Sequence, residues 1–221
     1  MTSRPNTIEF RALYKRERIP SFYSGWLHLG FTAAACLVII FWCASQLSSV
    51  AFLEWLTLPA TFLYANLSEY LGHRGPMHHP VRGLQTIYRR HSREHHIFFT
   101  AEKMDARDAS DFIAVLFPPI LLLFFTVAFA LPVGVLLAWL TSANVAYLFG
   151  LMSLAYFLNY ELLHLAYHLP ETSWVYKIPF IKALRKHHTA HHRLELMNHY
   201  NFNITYPIAD WLFGTVYRRV E

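Results

Sequence analysis

The histidines of this 221-residue chain are very unevenly distributed. There are 14, and all but His28 lie in four short segments at 73–79, 91–96, 164–168 and 187–199. The last segment includes the run KHHTAHH at 186–192. Imidazole nitrogen is a ligand of iron, zinc and copper, so regularly spaced histidines indicate a metal site.

Ten of these histidines have the spacing of metal ligands. Histidines four apart project from one face of an α-helix and can reach one metal, as in the pairs 91/95, 164/168 and 188/192. Adjacent histidines (95/96 and 191/192) diverge by about 100° on a helix and can serve two metals or two sides of one site. One metal takes about four to six ligands, so ten candidates predict two metals in a shared pocket. The ten are His73, His78, His91, His95, His96, His164, His168, His188, His191 and His192, with His79, His187 and His199 as uncertain additions.

Hydropathy predicts the elements that position these clusters. The chain is 55% hydrophobic with mean hydropathy +0.26, yet 15% of its residues are charged. Four apolar segments have about the 20 residues of a membrane-spanning helix: roughly 27–47, 50–72, 112–131 and 133–159. The Pro118-Pro119 pair should kink the third span or delay its start, and the fourth should continue as a helix into ELLHLAYH. Short links join spans one and two and spans three and four. The expected fold is therefore all-α: a polytopic membrane protein with four transmembrane helices in two hairpins and a cytoplasmic, histidine-rich helical cap.

Positive charges predict the orientation of these spans. The 19 lysines and arginines lie in residues 1–26, 73–111 and 165–221, which contain 5, 7 and 7 of them, and none lies in the two short turns. Both termini and the central loop should therefore face the cytoplasm. We expect a cytoplasmic arm at 1–26 and a membrane domain at 27–221 that contains the di-metal site. A bacterial inner membrane is favoured, and the endoplasmic reticulum fits the topology equally well. Topology accounts for the net charge of +5, so no nucleic-acid partner is expected.

Carboxylates next to the clusters are candidates for orienting the ligands. A ligand histidine usually donates its second N–H to a carboxylate or carbonyl. Glu69 lies four residues before His73 and Glu161 three before His164, and Asn159 is a further polar candidate. Charged groups this close to a membrane are costly, which favours a functional role. The aspartates at 105, 108 and 111 are instead expected to cap the third span, and no catalytic residue beyond the metal ligands is predicted.

The order of the motifs HxxxxH, HxxxHH, HxxxH and HxxHH resembles that of the integral-membrane fatty acid hydroxylase/sterol desaturase superfamily. Residues 69–74 (EYLGHR) resemble the EYxxHR segment of its ceramide fatty acid 2-hydroxylase branch, and Tyr160-Glu161-x-x-His164 resembles the entry to the third motif. Residues 201–215 (NFNITYPIADWLFGT) resemble the ending NFGVTxPxxDxxFGT, although Asn203 and Ala209 replace a glycine and a tryptophan common in that branch. The resemblance covers about residues 60–217 and includes no cytochrome b5-like domain.

This resemblance implies a non-haem di-iron site that uses O2 and two electrons to hydroxylate a lipid acyl chain. Ligand type alone leaves iron, zinc and copper open, but zinc is redox-inert and would enter only as a replacement in a purified sample. The electrons are expected from a separate cytochrome b5-, ferredoxin- or reductase-like donor. Desaturation, and a sterol or carotenoid substrate, are alternatives with the same chemistry.

A metal transporter or sensor is the alternative from another class of protein. Transport needs coordinating groups along the spans, and residues 27–159 contain few within the apolar segments besides Glu54 and Glu69. A structural scaffold would give no reason for ten spaced histidines. The sequence therefore favours a membrane-bound lipid hydroxylase.

Overall fold

The computed structural model describes residues 6–218. Over this range the chain forms helices and connecting loops and no β-strand, which confirms the all-helical class. The N-terminal arm forms α1 (Thr7–Arg18), which starts where the side chain of Asn6 accepts the Ile8 N–H at 3.0 Å.

Three helices of the described chain are long and apolar enough to cross a membrane. They are α2 (Gly25–Ser45), the kinked segment Ala109–Leu140 and α8 (Ala143–Tyr167), with mean hydropathies of 2.1, 2.7 and 1.2. Their large side chains are mostly exposed, as for Phe41 at 68% and Trp139 at 80%. Such continuous apolar exposure is typical of helices that face lipid.

The second expected span differs from the prediction. Residues Phe52–Leu56 form a 3-10 helix, and the following α-helix, α3 (Thr57–Gly72), has only 16 residues. The Glu54 carboxylate accepts the Ala51 N–H at 2.8 Å, which stabilises the tight first turn and delays the α-helix. This segment is not among the three candidate spans, so the count of four is not confirmed.

The turn between the third and fourth expected spans also lies elsewhere. The chain passes from α6 (Pro119–Phe125) through a π-helical turn (Thr126–Ala130) into α7 (Leu131–Leu140), so the helix does not end near Pro132. Pro132 comes just after this π-helical turn, and prolines and π-turns are both common where a continuous helix kinks. The start at Pro119 is delayed as predicted, and α8 extends to Tyr167 as predicted.

The remaining helices are short and lie near the histidine motifs in sequence. They are the π-helices His73–Met77 and Arg89–His95, the 3-10 helices Ala109–Ala114 and Trp174–Lys177, α4 (Gln85–Tyr88), α5 (His96–Phe98), α9 (Ile181–His191) and α10 (Ile208–Leu212).

The chain divides into two compact units. The first contains the residues up to Gly25, Asn66–Leu116 and the residues from Leu162 onward, and it includes all ten predicted ligands. The second contains Trp26–Ala65 and Phe117–Glu161. In this second unit Cys36 packs as a free thiol against Leu122 and Leu154, as expected of a core cysteine.

Candidate metal centre

All ten predicted ligands are buried together in the first unit, none more than 6% exposed. Nine form two groups whose ligand nitrogens lie within 4.8 Å of one another: His73, His78, His91, His96 and His191 in group one, and His95, His168, His188 and His192 in group two. His164 adjoins group two, because its Nε2 lies 3.2 Å from His95 Nε2. The structure therefore arranges the ten histidines as a group of five and a group of four, with His164 beside the second.

The adjacent histidines divide between the groups as predicted. His95 and His192 belong to group two, while their neighbours His96 and His191 belong to group one. His188 of α9 and His192, the residue that follows this helix, stay together with 3.0 Å between their Nε2 atoms. Alternation of this kind lets one short helix supply ligands to both groups.

The prediction that His91 and His95 share one group is wrong. His91 pairs instead with His96, five residues on, with 3.1 Å between the Nε2 atoms. The difference lies in the π-helix Arg89–His95, in which backbone hydrogen bonds run from i to i+5, so its turns are wider and the α-helical relation between residues four apart no longer holds. His73 and His78, also five apart, share group one and bracket the other π-helix, His73–Met77.

Backbone carbonyl oxygens accept hydrogen bonds from the Nδ1 atoms of five of the rings. Since a carbonyl only accepts, each of these rings donates from Nδ1, and its neutral form has the free lone pair on Nε2. The donors and acceptors are His73 to Phe202, His95 to Ala114 (2.8 Å), His168 to Met104 (2.9 Å), His191 to Tyr200 (2.9 Å) and His192 to Phe99 (2.7 Å).

This fixed tautomer makes the facing Nε2 atoms a cation site. His95 and His192 both donate from Nδ1, yet their Nε2 atoms lie 3.2 Å apart. Neither Nε2 carries a proton in the neutral rings, so the two lone pairs repel unless a cation binds both. The spacing is close to that of two nitrogens sharing one metal ion. The donor set therefore fits a metal in each group.

Burial keeps the rings in the neutral form that binds metal. Desolvation lowers the pKa of His73 to about 3 and that of His95 to about 4, from an ordinary value of 6.5. Burial likewise lowers the pKa values of His78, His91, His96, His168, His188, His191 and His192. These rings need no deprotonation before they bind a metal.

The Glu69 carboxylate holds the C-terminal loop. It accepts hydrogen bonds from the Ile204 N–H, from the Thr205 N–H at 3.0 Å and from the Thr205 hydroxyl at 2.6 Å. Asp210 holds the same loop by accepting the Phe202 N–H at 2.9 Å. Through these contacts Glu69 and Asp210 position the carbonyl that anchors His73. A direct role of Glu69 at a ligand stays a prediction.

The two departures from the related sequence pattern have local explanations. Asn203 donates to the Asn66 carbonyl at 3.0 Å and accepts the Asp210 N–H at 3.1 Å, so its side chain joins the loop to α3. Ala209 is 3% exposed and packs against Tyr70, so a larger residue there would press on these close-packed neighbours.

Glu161 and Asn159 lie in α8 within the second unit. Glu161 is fully buried, and its carboxylate accepts the Phe117 N–H at 3.1 Å, just before α6. Asn159 is half-buried. Their predicted role in orienting His164 stays a prediction.

The three uncertain histidines belong to neither group. His79 is exposed and donates to the Arg74 carbonyl at 2.9 Å. His187 lies with its Nε2 atom 3.3 Å from the Asp210 carboxylate. His199 is exposed beside Tyr200. His187 contacts Asp210 and His199 contacts Tyr200, and both partners lie in the segment that holds group one.

The three aspartates before the third span have different roles. Asp108 caps the 3-10 helix Ala109–Ala114 by accepting the Ser110 N–H at 2.8 Å, as predicted. Asp111 is fully buried and pairs with Lys15 of α1 at 2.7 Å, whereas Asp105 pairs with Arg185 of α9 at 2.6 Å. Asp108 also pairs with Lys15, at 2.8 Å, so all three aspartates tie this loop to distant helices, and Asp108 caps the 3-10 helix as well.

Sequence reasoning missed Arg11, which is 3% exposed in α1. Its guanidinium donates to the carbonyls of Phe98 at 2.6 Å, Lys103 at 2.5 Å and Asp105 at 3.0 Å. The same loop supplies two carbonyls that anchor group-two ligands, at Phe99 and Met104. In the sequence, Arg11 looks like the other basic residues of the N-terminal arm. Its partners are backbone carbonyls, which every residue has, so the partner residues cannot be recognised by type either.

Comparison with protein families matches residues 58–215 to the fatty acid hydroxylase family. The match covers well over half of the 221 residues, and the chain belongs to this family. Neither the search of curated proteins nor that of solved structures gave a match. Membership makes the chain a lipid-oxidising enzyme of the hydroxylase/desaturase class, with histidine groups able to hold metal.

Proposed function

We propose that this protein is a membrane-bound, O2-dependent di-iron hydroxylase of a lipid acyl chain. The observation that carries the proposal is the pair of buried histidine groups whose carbonyl-anchored rings direct Nε2 lone pairs at one another. Membership of the fatty acid hydroxylase family supports the lipid substrate and the oxidative chemistry.

Each histidine group would hold one iron ion. When bound, the two ions would activate O2 with two external electrons, giving RH + O2 + 2e⁻ + 2H⁺ → ROH + H2O. The chain contributes neutral ligands in fixed tautomers and an interior from which bulk water is largely excluded. Desaturation and a sterol or carotenoid substrate are the alternatives within the same family.

The proposed topology has four spans in two hairpins, with a cytoplasmic cap and both termini in the cytoplasm. The 3-10 helix Phe52–Leu56 continues directly into α3, and together their 21 residues (5 + 16) approach the length of a span. The absence of lysine and arginine from the two short turns supports the orientation. A bacterial inner membrane is the proposed location, and the endoplasmic reticulum is the alternative.

The test compares His192→Ala with His199→Ala, a matched control at an exposed histidine outside both groups. Purified protein is analysed for metal content, and cells grown under ¹⁸O2 are analysed for lipids by mass spectrometry. We expect about two iron ions per wild-type chain and one heavy oxygen in a lipid product. His192→Ala should lose metal and product while remaining in the membrane fraction, and His199→Ala should match wild type.

The outcomes separate the alternatives. A lipid lighter by two hydrogens and without heavy oxygen would assign desaturation. Full metal content and full product in His192→Ala would refute the di-iron assignment. Zinc in the purified protein, with activity restored by loading iron, would identify zinc as a replacement.

A further inference from the structure

Helix α9 (Ile181–His191) presents two different faces. One face, together with the residue after the helix, carries the buried ligands His188, His191 and His192. At about 100° per residue, Lys182 and Lys186 project roughly opposite to these ligands, and both are exposed. A single helix therefore separates a basic surface from both histidine groups, over about one helix diameter of 10 Å.

This basic surface is concave. A cavity of about 670 Å³ is lined by Lys182, Arg185, Lys186, Arg193, Asn201 and Tyr217, among others. It shares Glu171, Arg185 and Thr189 with a second cavity of about 520 Å³. We call the two cavities together the basic groove. Its size exceeds what a single small anion such as phosphate needs.

The positive charge of the basic groove is largely unneutralised. Arg185 is held by Asp105 at 2.6 Å and lies 3.7 Å from Glu171, so it serves the fold. Within residues 6–218, Lys182, Lys186 and Arg193 form no ion pair. These three cations at one rim favour a partner that presents carboxylates.

Residues that line the groove are also close neighbours of ligands in both histidine groups. Thr189 and Ala190 line it, and they lie between His188 of group two and His191 of group one. Met104 lines the second cavity, and its carbonyl anchors His168. A redox group placed against Thr189 and Ala190 would therefore be about one helix thickness from both histidine groups.

We infer that the basic groove is the docking surface of the electron donor, a small protein with carboxylates around its redox centre. The inference rests on the proposed function, because the proposed reaction consumes two electrons. Acidic groups of the donor meet Lys182, Lys186 and Arg193, and electrons enter through α9.

The test uses a purified acidic [2Fe–2S] ferredoxin, kept reduced by its reductase, as donor to the iron-loaded protein in detergent. Reduced methyl viologen, a cationic donor that needs no acidic docking, serves as comparison. The variants are Lys182→Glu alone and combined with Lys186→Glu. The control is Arg18→Glu with Arg82→Glu, which changes net charge equally at exposed residues outside the groove.

At low ionic strength we expect the double groove variant to raise KM for ferredoxin about tenfold and Lys182→Glu to raise it less. Salt should diminish the difference as it screens the charges. Turnover with methyl viologen and iron content should match wild type, and the control should keep the wild-type KM. Equal KM values in wild type and groove variants would overturn the inference, as would a wild-type chain that turns over with methyl viologen but not with ferredoxin.

Carbodiimide cross-linking gives a readout that needs no turnover. We expect ferredoxin carboxylates to couple to Lys182 or Lys186. Coupling to lysines elsewhere would overturn the inference, as would coupling lost in anionic vesicles but kept in zwitterionic ones, since lipid headgroups would then occupy the groove. If wild type forms no product even with methyl viologen, the proposed hydroxylation fails while cross-linking still decides the docking surface.

Discussion

Arg11→Met should weaken metal binding by group two, although Arg11 is not a member of that group. The change keeps a long apolar side chain but removes the three hydrogen bonds that hold the loop at residues 98–105. That loop carries the Phe99 and Met104 carbonyls that fix His192 and His168. Group one has no anchoring carbonyl there, so its metal should be retained better.

The expected loss of stability depends on which of the three carbonyls can form a hydrogen bond to water once Arg11 is replaced. A hydrogen bond from a charged donor contributes about 1.5–3 kcal/mol. The backbone around Lys103 and Asp105 reaches solvent, whereas Phe98 is fully buried and its carbonyl would be left without a donor. We therefore expect about 3 kcal/mol of lost local stability. That amount limits the weakening of group-two metal affinity to about 100-fold, the upper range for loss of an outer hydrogen-bond partner.

The assay measures metal retained per chain after equilibration with increasing chelator. Arg11→Met should release about half of the metal at a chelator concentration that leaves wild type loaded. Arg16→Met, on the exposed side of the same helix at 75% side-chain exposure, is the control. Trypsin cleavage after Lys103 gives a second readout that does not depend on metal. If Arg11→Met holds its metal like wild type and resists trypsin equally, α1 does not support the site and the reasoning is refuted.

Three further changes test the packing around the site. Gly25→Ala should destabilise the protein by about 1–3 kcal/mol in thermal denaturation, because a Cβ there would overlap the Ala109 carbonyl oxygen; Gly30→Ala, with nothing within 4 Å, should not. Asp111→Asn should cost about 1–3 kcal/mol because it removes the charge of a fully buried partner of Lys15, which is partly exposed and keeps Asp108, whereas Asp108→Asn, at an exposed cap that asparagine also fills, should cost less than about 1 kcal/mol; similar losses would contradict the burial argument. Ala209→Trp should lower the denaturation midpoint, since the residue is 3% exposed, and an unchanged midpoint would show that the site has unused space.

Much of the site could be predicted because its signals are local in the sequence. Clustered histidines and their spacing are sufficient to name all ten buried residues. Adjacent pairs such as His191 and His192 also indicate two groups, since neighbouring residues on a helix point in different directions. Apolar runs likewise predict the helix at 27–47, which matches α2 (Gly25–Ser45), whereas the run predicted at 133–159 is divided between α7 and α8.

The prediction failed where the same local sequence pattern was compatible with two backbone conformations. His91 and His95 are four apart, but a π-helix redirects them into different groups. Pro132 looks like a helix end, but the helix continues through it after a π-helical turn. Helix type depends on packing from outside the segment, so spacing alone could not decide either case.

The sequence by itself determined the ten candidate ligand positions and the apolar segments, because side-chain type and periodicity are properties of the chain. Only the tertiary structure decided how the ten histidines divide, which carbonyls fix their tautomers, and that Arg11 holds the loop behind His168 and His192. The physical reason is that a carbonyl acceptor is the same in every residue. Its role is set by which distant segment folds against it.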